Sequence, residues 1–262
     1  MALNWIDTDK LSFNHILLLD TIQLRSIPDF GLPEKDFAIA LKHNPPVEWF
    51  LKAKCPPIAG YIDSVMAQAT GQASGDEIRR TEQAVLRRLG DLLTYVLEPE
   101  AYDNQPFLKW DKNELLSLTD FSGKVVIDIG SGTGKLAFIA AEKAKTVYAV
   151  EPVENLRAFL RNKAARLGLR NFYAVDGLIT QIPFETGFAD ITMGGHVLGD
   201  DFGTESREME RVTAKGGSII HCPGNNDKDN KKHDFLVNNG YQWAVLDEFT
   251  DGKKRKYWKQ IA

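Results

Sequence analysis

Residues Val125 to Gly134, VVIDIGSGTG, decide the fold: a β-branched apolar run closes on an acid, and glycines then follow at every second position, Gly130, Gly132 and Gly134. Val125, Val126, Ile127 and Ile129 have the unbroken apolar character of a strand covered on both faces. The glycines allow left-handed backbone and let a ligand approach the main chain closely. A helix is expected from about Lys135 through Leu136, Phe138 and Ile139. Strand, glycine turn and helix make the first unit of a doubly wound α/β sheet, whose ligand lies at the carboxyl end of the strand.

The spacing separates cofactors. A dinucleotide site wants Gly-x-Gly-x-x-Gly, with a helix N-terminus facing a pyrophosphate. Here the third glycine arrives one residue early, Lys135 stands where that pattern wants glycine, and Asp128 adds an anion that a pyrophosphate would repel but a cationic ligand would not. The stretch resembles motif I of the class I S-adenosylmethionine (SAM)-dependent methyltransferases, matching Asp-x-Gly-x-Gly-x-Gly at every fixed position. The competing nicotinamide reading is disfavoured by the same two features.

Two more acids stand at strand ends. Thr146 to Val150 reads as a second strand, with Glu151 placed to accept from both hydroxyls of a ribose. After a helix over about Val153 to Leu167, Asn171 to Val175 reads as a third strand ending in Asp176 and Gly177; the resemblance implies that Asp176 receives an adenine amino group. It also implies that Asp128, Gly130, Ser131, Gly132 and Gly134 hold the methionine end, that Pro152 flanks the ribose contact, and that S-adenosylhomocysteine is the product.

Phe188 to Met193 suits a fourth strand, Glu205 to Thr213 a helix, Gly217 to Cys222 a fifth strand and Lys231 to Asn239 a helix stopped by Gly240. Tyr241 to Phe249, an Asp251-Gly252 turn and Lys253 to Ile261 read as a hairpin. The expected fold is a seven-stranded, mostly parallel sheet with a C-terminal antiparallel hairpin, and the resemblance covers about Gly123 to Ala262. The expected division is a helical N-terminal domain over residues 1–115 and a SAM-binding domain over 116–262.

The N-terminal helices are expected over Asp9 to Ile22, Glu34 to Leu41, Pro46 to Ala53, Pro57 to Ala69 and Asp76 to Leu97, with turns at Pro28, Gly31, Pro45, Pro56 and Gly71. Ser74 and Glu77 have capping-box spacing, and Ile78, Val85, Leu89, Leu92 and Val96 form an apolar stripe. PPVEWFLKAKC and PPIAGYIDSVM, starting at Pro45 and Pro56, align with period eleven and suggest two similar proline-led helices packed side by side. Two aromatic residues of the first copy, Trp49 and Phe50, and Tyr61 of the second are expected to be core or lid residues. The domain as a whole is expected to close over the site and select the acceptor.

Asn44, Pro45, Pro46 and Val47 resemble the Asn-Pro-Pro-aromatic motif of enzymes that methylate exocyclic amines, with Asp36 to Lys42 as the strand before it. Valine in place of the stacking aromatic residue, and a fourth strand already supplied by Ala189 to Met193, oppose that assignment.

Gly195 and His196 open the loop after the fourth strand, at the sheet edge where a transferred methyl group must lie. Histidine has the intrinsic pKa to take a proton from a hydroxyl or ammonium group; it is either a general base or a cofactor contact. Asp200 and Asp201 invite a magnesium site, but no third ligand is identifiable, so no metal is expected and the pair reads as loop or helix-cap chemistry.

The 262-residue chain has a net charge of −4 and a pI near 5.8, which argues against nucleic acid as substrate because phosphate neutralisation wants a basic face. The Lys253, Lys254, Arg255, Lys256 cluster is the one exception; strand alternation divides it, and a solvated, edge-protecting role is expected. Cys55 and Cys222 lie outside any metal or disulfide pattern. No apolar stretch reaches membrane-spanning length and the N-terminus lacks a signal-peptide pattern, so a cytoplasmic protein without a membrane partner is expected. The expected function is methyl transfer from SAM to a small-molecule acceptor. The alternatives are an RNA or protein methyltransferase and a regulatory protein that binds SAM without turnover.

Overall fold

A computed structural model describes residues 5–69, 73–199, 201–224, 226–250 and 252–262. The chain divides into two compact units, residues 1–102 and 103–262. The boundary falls earlier than the expected 115 because the segment after it belongs to the sheet's core: Trp110, Leu115 and Phe121 are buried in one cluster with Val126, Leu136 and Met193.

The first unit is helical. Its elements are α1 (Thr21–Arg25), α2 (Glu34–His43), α3 (Pro45–Lys54), α4 (Ala59–Met66), α5 (Gly75–Arg88) and α6 (Gly90–Leu97). Asp9 to Ile22 does not form the single helix expected. Ser12 caps a 3-10 turn over Phe13–Leu18, and Asp20 forms a capping box with Gln23 at the start of α1, so side chains that bond the local backbone divide the segment. The helix expected over Asp76 to Leu97 likewise breaks between α5 and α6, at Leu89 and Gly90, where glycine weakens helix continuity. Ser74 caps α5 by accepting from the Glu77 amide at 3.3 Å, and Val85, Leu89, Leu92 and Val96 of the stripe are buried. The expected turn at Gly71 lies outside the described residues.

The period-eleven segments are two proline-led turns of helix. A 3-10 turn over Pro56–Ile58 precedes α4, α3 and α4 are in contact, and the aligned pairs Val47 with Ile58 and Leu51 with Ile62 are all buried. Trp49, by contrast, is 70% exposed and is not core. The amine-methylating motif is overturned: Asp36 to Lys42 is helical within α2, and the Asn44 amide donates to Ala40 O at 2.9 Å and Glu82 Oε1 at 2.8 Å, serving a helix end rather than a substrate.

Two short helices follow, α7 (Pro99–Asp103) and α8 (Asn113–Leu116), before the α/β core of β1 (Val125–Ile129), α9 (Lys135–Ala141), β2 (Thr146–Val150), α10 (Glu154–Arg166), β3 (Phe172–Val175), β4 (Ala189–Gly194), α11 (Phe202–Val212), β5 (Thr213–His221), α12 (Lys231–Asn238), β6 (Gln242–Glu248) and β7 (Gly252–Gln260). The sheet order is β3-β2-β1-β4-β5-β7-β6. Strands β1 to β5 are mutually parallel, and β7 runs antiparallel to both β5 and β6, so the hairpin enters with its second strand innermost. Asp251 of the expected turn lies outside the described residues. The order reverses at β1, between β2 and β4, which places a ligand crevice at their carboxyl ends.

The edge-protecting reading of the basic cluster is also overturned. β7 is an inner strand, Arg255 and Lys256 are buried, and three of the four charges are paired within the chain, Arg255 with Asp229 at 2.7 Å, Lys256 with Glu114 and Lys254 with Glu248 at 4.0 Å, while Lys253 is exposed. Among the described residues no helix is long and apolar enough to cross a membrane.

Two left-handed glycines test the packing of this core. Gly134 has φ +87, and a Cβ there would lie 2.6 Å from both Leu160 Cδ2 and Phe138 Cε2; Gly168 has φ +68 with open space around it. Gly168→Ala is expected to cost about 1 kcal/mol, the backbone penalty alone, and Gly134→Ala about 2 to 4 kcal/mol through added overpacking. Denaturant midpoints of the two variants check the order.

Candidate active site

The glycine turn is built on left-handed backbone at Gly130, Gly132 and Gly134, with φ of +62, +54 and +87. Its shape is fixed by polar contacts with the ends of β1 and β2. The Gly130 and Ser131 amides donate to Val150 O at 2.9 and 3.2 Å, and Ser131 Oγ donates to Asp128 O at 2.8 Å. The Gly132 amide donates to Glu151 Oε2 at 2.9 Å, while Glu151 Oε1 accepts from the Val153 amide at 3.0 Å. A carboxylate offers about four acceptor positions, so Glu151 retains acceptor capacity for two hydroxyls after shaping the loop. Its carboxyl is buried, and burial raises its pKa against the opposing pull of the two amides.

Asp128 is buried, with Oδ2 accepting from the Ala137 amide of α9 at 3.1 Å and Oδ1 accepting no hydrogen bond. Burial pushes its pKa up to about 8, against the lowering effect of Ser131 and the Ala137 amide, and the neighbouring Glu151 adds to the rise. A buried carboxyl oxygen without a donor fits a cationic ligand group, which would both supply the missing partner and favour the ionised form.

Asp176 ends β3 and is largely exposed; Arg157 of α10 reaches it with Nη1 at 3.1 Å. The same Nη1 donates to Glu151 O at 2.7 Å, and the guanidinium also pairs with Glu154. Arg157 therefore ties the ends of β2 and β3 together. Sequence reading missed it; the only signal is the i,i+3 spacing of Glu154 and Arg157 on a helix face. Asp176 and Gly177 open a cavity of about 650 Å³ continued by Leu178, Ile182, Phe184 and Arg211. Gly177 is demanded by packing as well: a Cβ would lie 2.7 Å from Pro183 Cδ and 2.8 Å from Val150 Cγ1. Pro152 is half-buried between Glu151 and Val153.

The loop after β4 lies directly on the glycine turn. Val197 packs where a Cβ on Gly130 would stand, at 2.6 Å, and also crowds Gly194; Gly195 is closed in by Leu136 at 3.0 Å. His196 has φ +55, the one left-handed residue other than glycine among the described residues. That conformation costs roughly 1 to 2 kcal/mol and is characteristic of functional loops. Its amide donates to Pro223 O at 3.0 Å, and Nε2 lies 2.8 Å from Oε1 of Glu248, whose side chain is 1% exposed. Glu248, from β6, is a second residue that sequence reading missed, because nothing in a single strand's alternation announces which loop its last side chain meets.

His221 of β5 lines the same small cavity as His196 and Tyr257. Its Nε2 has no hydrogen bond, and burial lowers its pKa to about 4, so it stays neutral. Asp200 lies outside the described residues; Asp201 caps α11 by accepting from the Thr204 amide at 3.0 Å. Among the described residues no cluster of three or more His, Cys, Asp or Glu side chains is arranged to hold a metal.

Methyltransferases are among the known proteins similar to this chain. Residues 127–221 match the family described as a methyltransferase domain. An uncharacterized methyltransferase of Geobacillus thermodenitrificans (strain NG80-2) is 33% identical over 138 residues, 50% of this chain and 59% of that protein; one of Geobacillus kaustophilus (strain HTA426) is 31% identical over 137 residues, with the same coverage. The chain thus spans about three fifths of the length of these relatives. In structure it is similar to a SAM-dependent methyltransferase from Aquifex aeolicus, with TM-score 0.50 and 17% identity over 63% of this chain and all of that one. Residues 127–221 thus match a methyltransferase domain, and the C-terminal unit has the fold of the SAM-dependent methyltransferases.

Asp128 gives the site a pH signature. Its carboxyl ionises near 3.8 in an unstructured chain and near 8 in the fold. The ligand-free protein therefore binds the extra proton between those values, and its stability falls as pH rises from about 4 to 8. Asp128→Asn removes that loss. Melting temperatures should show the variant gaining on the native protein by several degrees at about pH 8.5, with a smaller difference at about pH 5.

Proposed function

We propose that the chain transfers the methyl group of SAM to a small-molecule acceptor. The observation that carries this reading is the convergence, at the carboxyl ends of three adjacent parallel strands, of Asp128, Glu151 and Asp176 around a left-handed glycine turn. Asp128, Gly130, Ser131, Gly132 and Gly134 hold the methionine end, Glu151 with Pro152 the ribose, and Asp176 with Gly177 the adenine; Gly195 and His196 border the reacting end.

SAM, when bound, supplies an electrophilic methyl group on a sulfonium. The chain's part is to hold donor and acceptor in contact, an effect worth up to about 7 to 11 kcal/mol in well-oriented systems, and to receive a proton where the nucleophile carries one. His196 takes that proton as general base. The helical unit of residues 1–102 selects the acceptor.

A small acceptor is favoured over RNA because three of the four basic side chains of the β7 cluster pair with Asp229, Glu114 and Glu248, leaving Lys253 alone of that cluster to face phosphates. A regulatory SAM-binding protein would share every cofactor contact and lack turnover.

Calorimetry with SAM, S-adenosylhomocysteine and NAD separates the possibilities. The expected result is binding of SAM and S-adenosylhomocysteine by the native protein, at least tenfold weaker binding in Asp128→Ala and Glu151→Ala, corresponding to about 1.4 kcal/mol or more, and no binding of NAD. NAD binding without SAM binding would overturn the assignment. Transfer of labelled methyl from SAM to a low-molecular-weight fraction of a cell extract distinguishes an enzyme from a regulatory binder; label in RNA or protein instead would replace the acceptor class.

A further inference from the structure

We propose that Glu248 is the positioning residue for His196: by accepting its Nε2–H it keeps the neutral imidazole in the tautomer whose Nδ1 lone pair faces no protein donor, and so suits the site to acceptors whose nucleophile is a hydroxyl or an ammonium. The inference rests on the methyl-transfer reading above and deepens it.

The topology brings the two side chains together from distant parts of the chain. β6 runs parallel to β4 and β5, since both β5 and β6 pair antiparallel with β7. The last residue of β6 therefore lies at the same edge of the sheet as the end of β4 and the glycine turn. Glu248 stands there with its side chain 1% exposed and Oε1 2.8 Å from His196 Nε2. A buried carboxylate requires a donor, and among the described residues the imidazole is the one that hydrogen-bonds it; Oε2 accepts no hydrogen bond there and lies 4.0 Å from the Lys254 ammonium of β7.

Three features hold the ring in place. The His196 backbone is left-handed, its amide is tied to Pro223 O after β5, and Val197 beside it is wedged against Gly130 and Gly194. The imidazole is still one-third exposed. With Nε2 occupied, Nδ1 is the ring nitrogen without a hydrogen bond among the described residues. His221 on β5 and Tyr257 on β7 line the same cavity; burial lowers the His221 pKa to about 4 and raises that of Tyr257, so both rings are neutral.

The chemistry follows from that tautomer. The acceptor's proton passes to Nδ1, the electron pair of its former O–H or N–H bond forms the new bond to the methyl carbon, and the S–CH3 bond breaks with its pair kept by sulfur, leaving S-adenosylhomocysteine. The resulting imidazolium is offset by the Glu248 carboxylate until the proton leaves to water. A carboxylate that orients a histidine in this way acts through tautomer and charge without itself taking the proton.

The test is two-bond ¹H–¹⁵N imidazole spectroscopy of the ¹⁵N-labelled full chain saturated with S-adenosylhomocysteine, above the histidine titration range, with His196 assigned by the signal missing in His196→Gln. The expected native spectrum shows a protonated Nε2 and a bare Nδ1 for His196. Glu248→Leu, which removes the acceptor at similar volume, should convert that single tautomer to an exchanging mixture, and Glu248→Gln, whose amide can donate to Nε2, should shift it toward Nδ1–H. A native His196 protonated at Nδ1, or a tautomer unmoved in both variants, would overturn the inference. The native spectrum decides even where a variant fails to fold. Failure of the methyl-transfer reading shows separately, as absence of SAM and S-adenosylhomocysteine binding by the native protein in calorimetry.

Discussion

The hydrogen bond from the Gly132 amide to the Glu151 carboxylate joins the turn after β1 to the end of β2, and the site depends on it. Its glycines carry no side chains to hold a shape, and three left-handed residues in five would otherwise sample many conformations. The Gly130 and Ser131 amides add bonds to Val150 O, the Gly134 amide to Ser131 O and the Ser131 hydroxyl to Asp128 O, and the Glu151 contact ties the amide at the middle of the turn to the neighbouring strand. The same acid that is suited to a ribose is thus part of the scaffold. Its burial raises its pKa, and two amide donors offset part of that cost.

The order of the sheet was legible because its determinants are local. Val125 to Ile129 is uniformly apolar, the glycines that follow permit one kind of turn, and acids close the next two strands; each signal lies within a few residues of the element it defines. The observed strands differ from the expected ones chiefly at their ends, as between Gly217 to Cys222 and the longer β5. In the helical unit the expectation failed where short side chains outcompeted periodicity. Ser12 and Asp20 sit inside an apolar pattern that suits a helix, yet each bonds nearby backbone and begins a new element. The domain boundary was displaced for a different reason: Trp110 and Leu115 look like further N-terminal apolar residues, and only the folded sheet shows that they cover it.

Charge was the least legible property, since its meaning depends on partners far along the chain. Four consecutive basic residues in a strand look solvated when partners within reach in sequence are scarce. In the fold, Lys256 meets Glu114 across 142 positions and Arg255 meets Asp229 across 26, while the aromatic face of Trp243 lies 4.7 Å from the guanidinium. Buried charges of this kind are retained only when paired, so the hairpin's basic run and the scattered acids of other elements are one feature divided by the sequence. Arg157, which bridges Glu154, Glu151 O and Asp176, escaped notice in the same way.

The loop after β4 shows how packing and chemistry are coupled here. Glycine at positions 130 and 194 leaves room for Val197, whose side chain occupies the space that a Cβ on either would need. Seating Val197 there fixes the residue before it, and His196 takes left-handed backbone at a cost that a flexible loop would release. The conformation persists because the surroundings over-determine it: Val197 below, Pro223 O accepting from the amide, and the buried Glu248 carboxylate on the ring. Glycines usually read as concessions to a ligand therefore also serve a neighbouring loop. Larger residues at 130 or 194 would disturb the imidazole through Val197 even where the cofactor tolerated them, so the glycine turn acts on both ends of the reaction it frames.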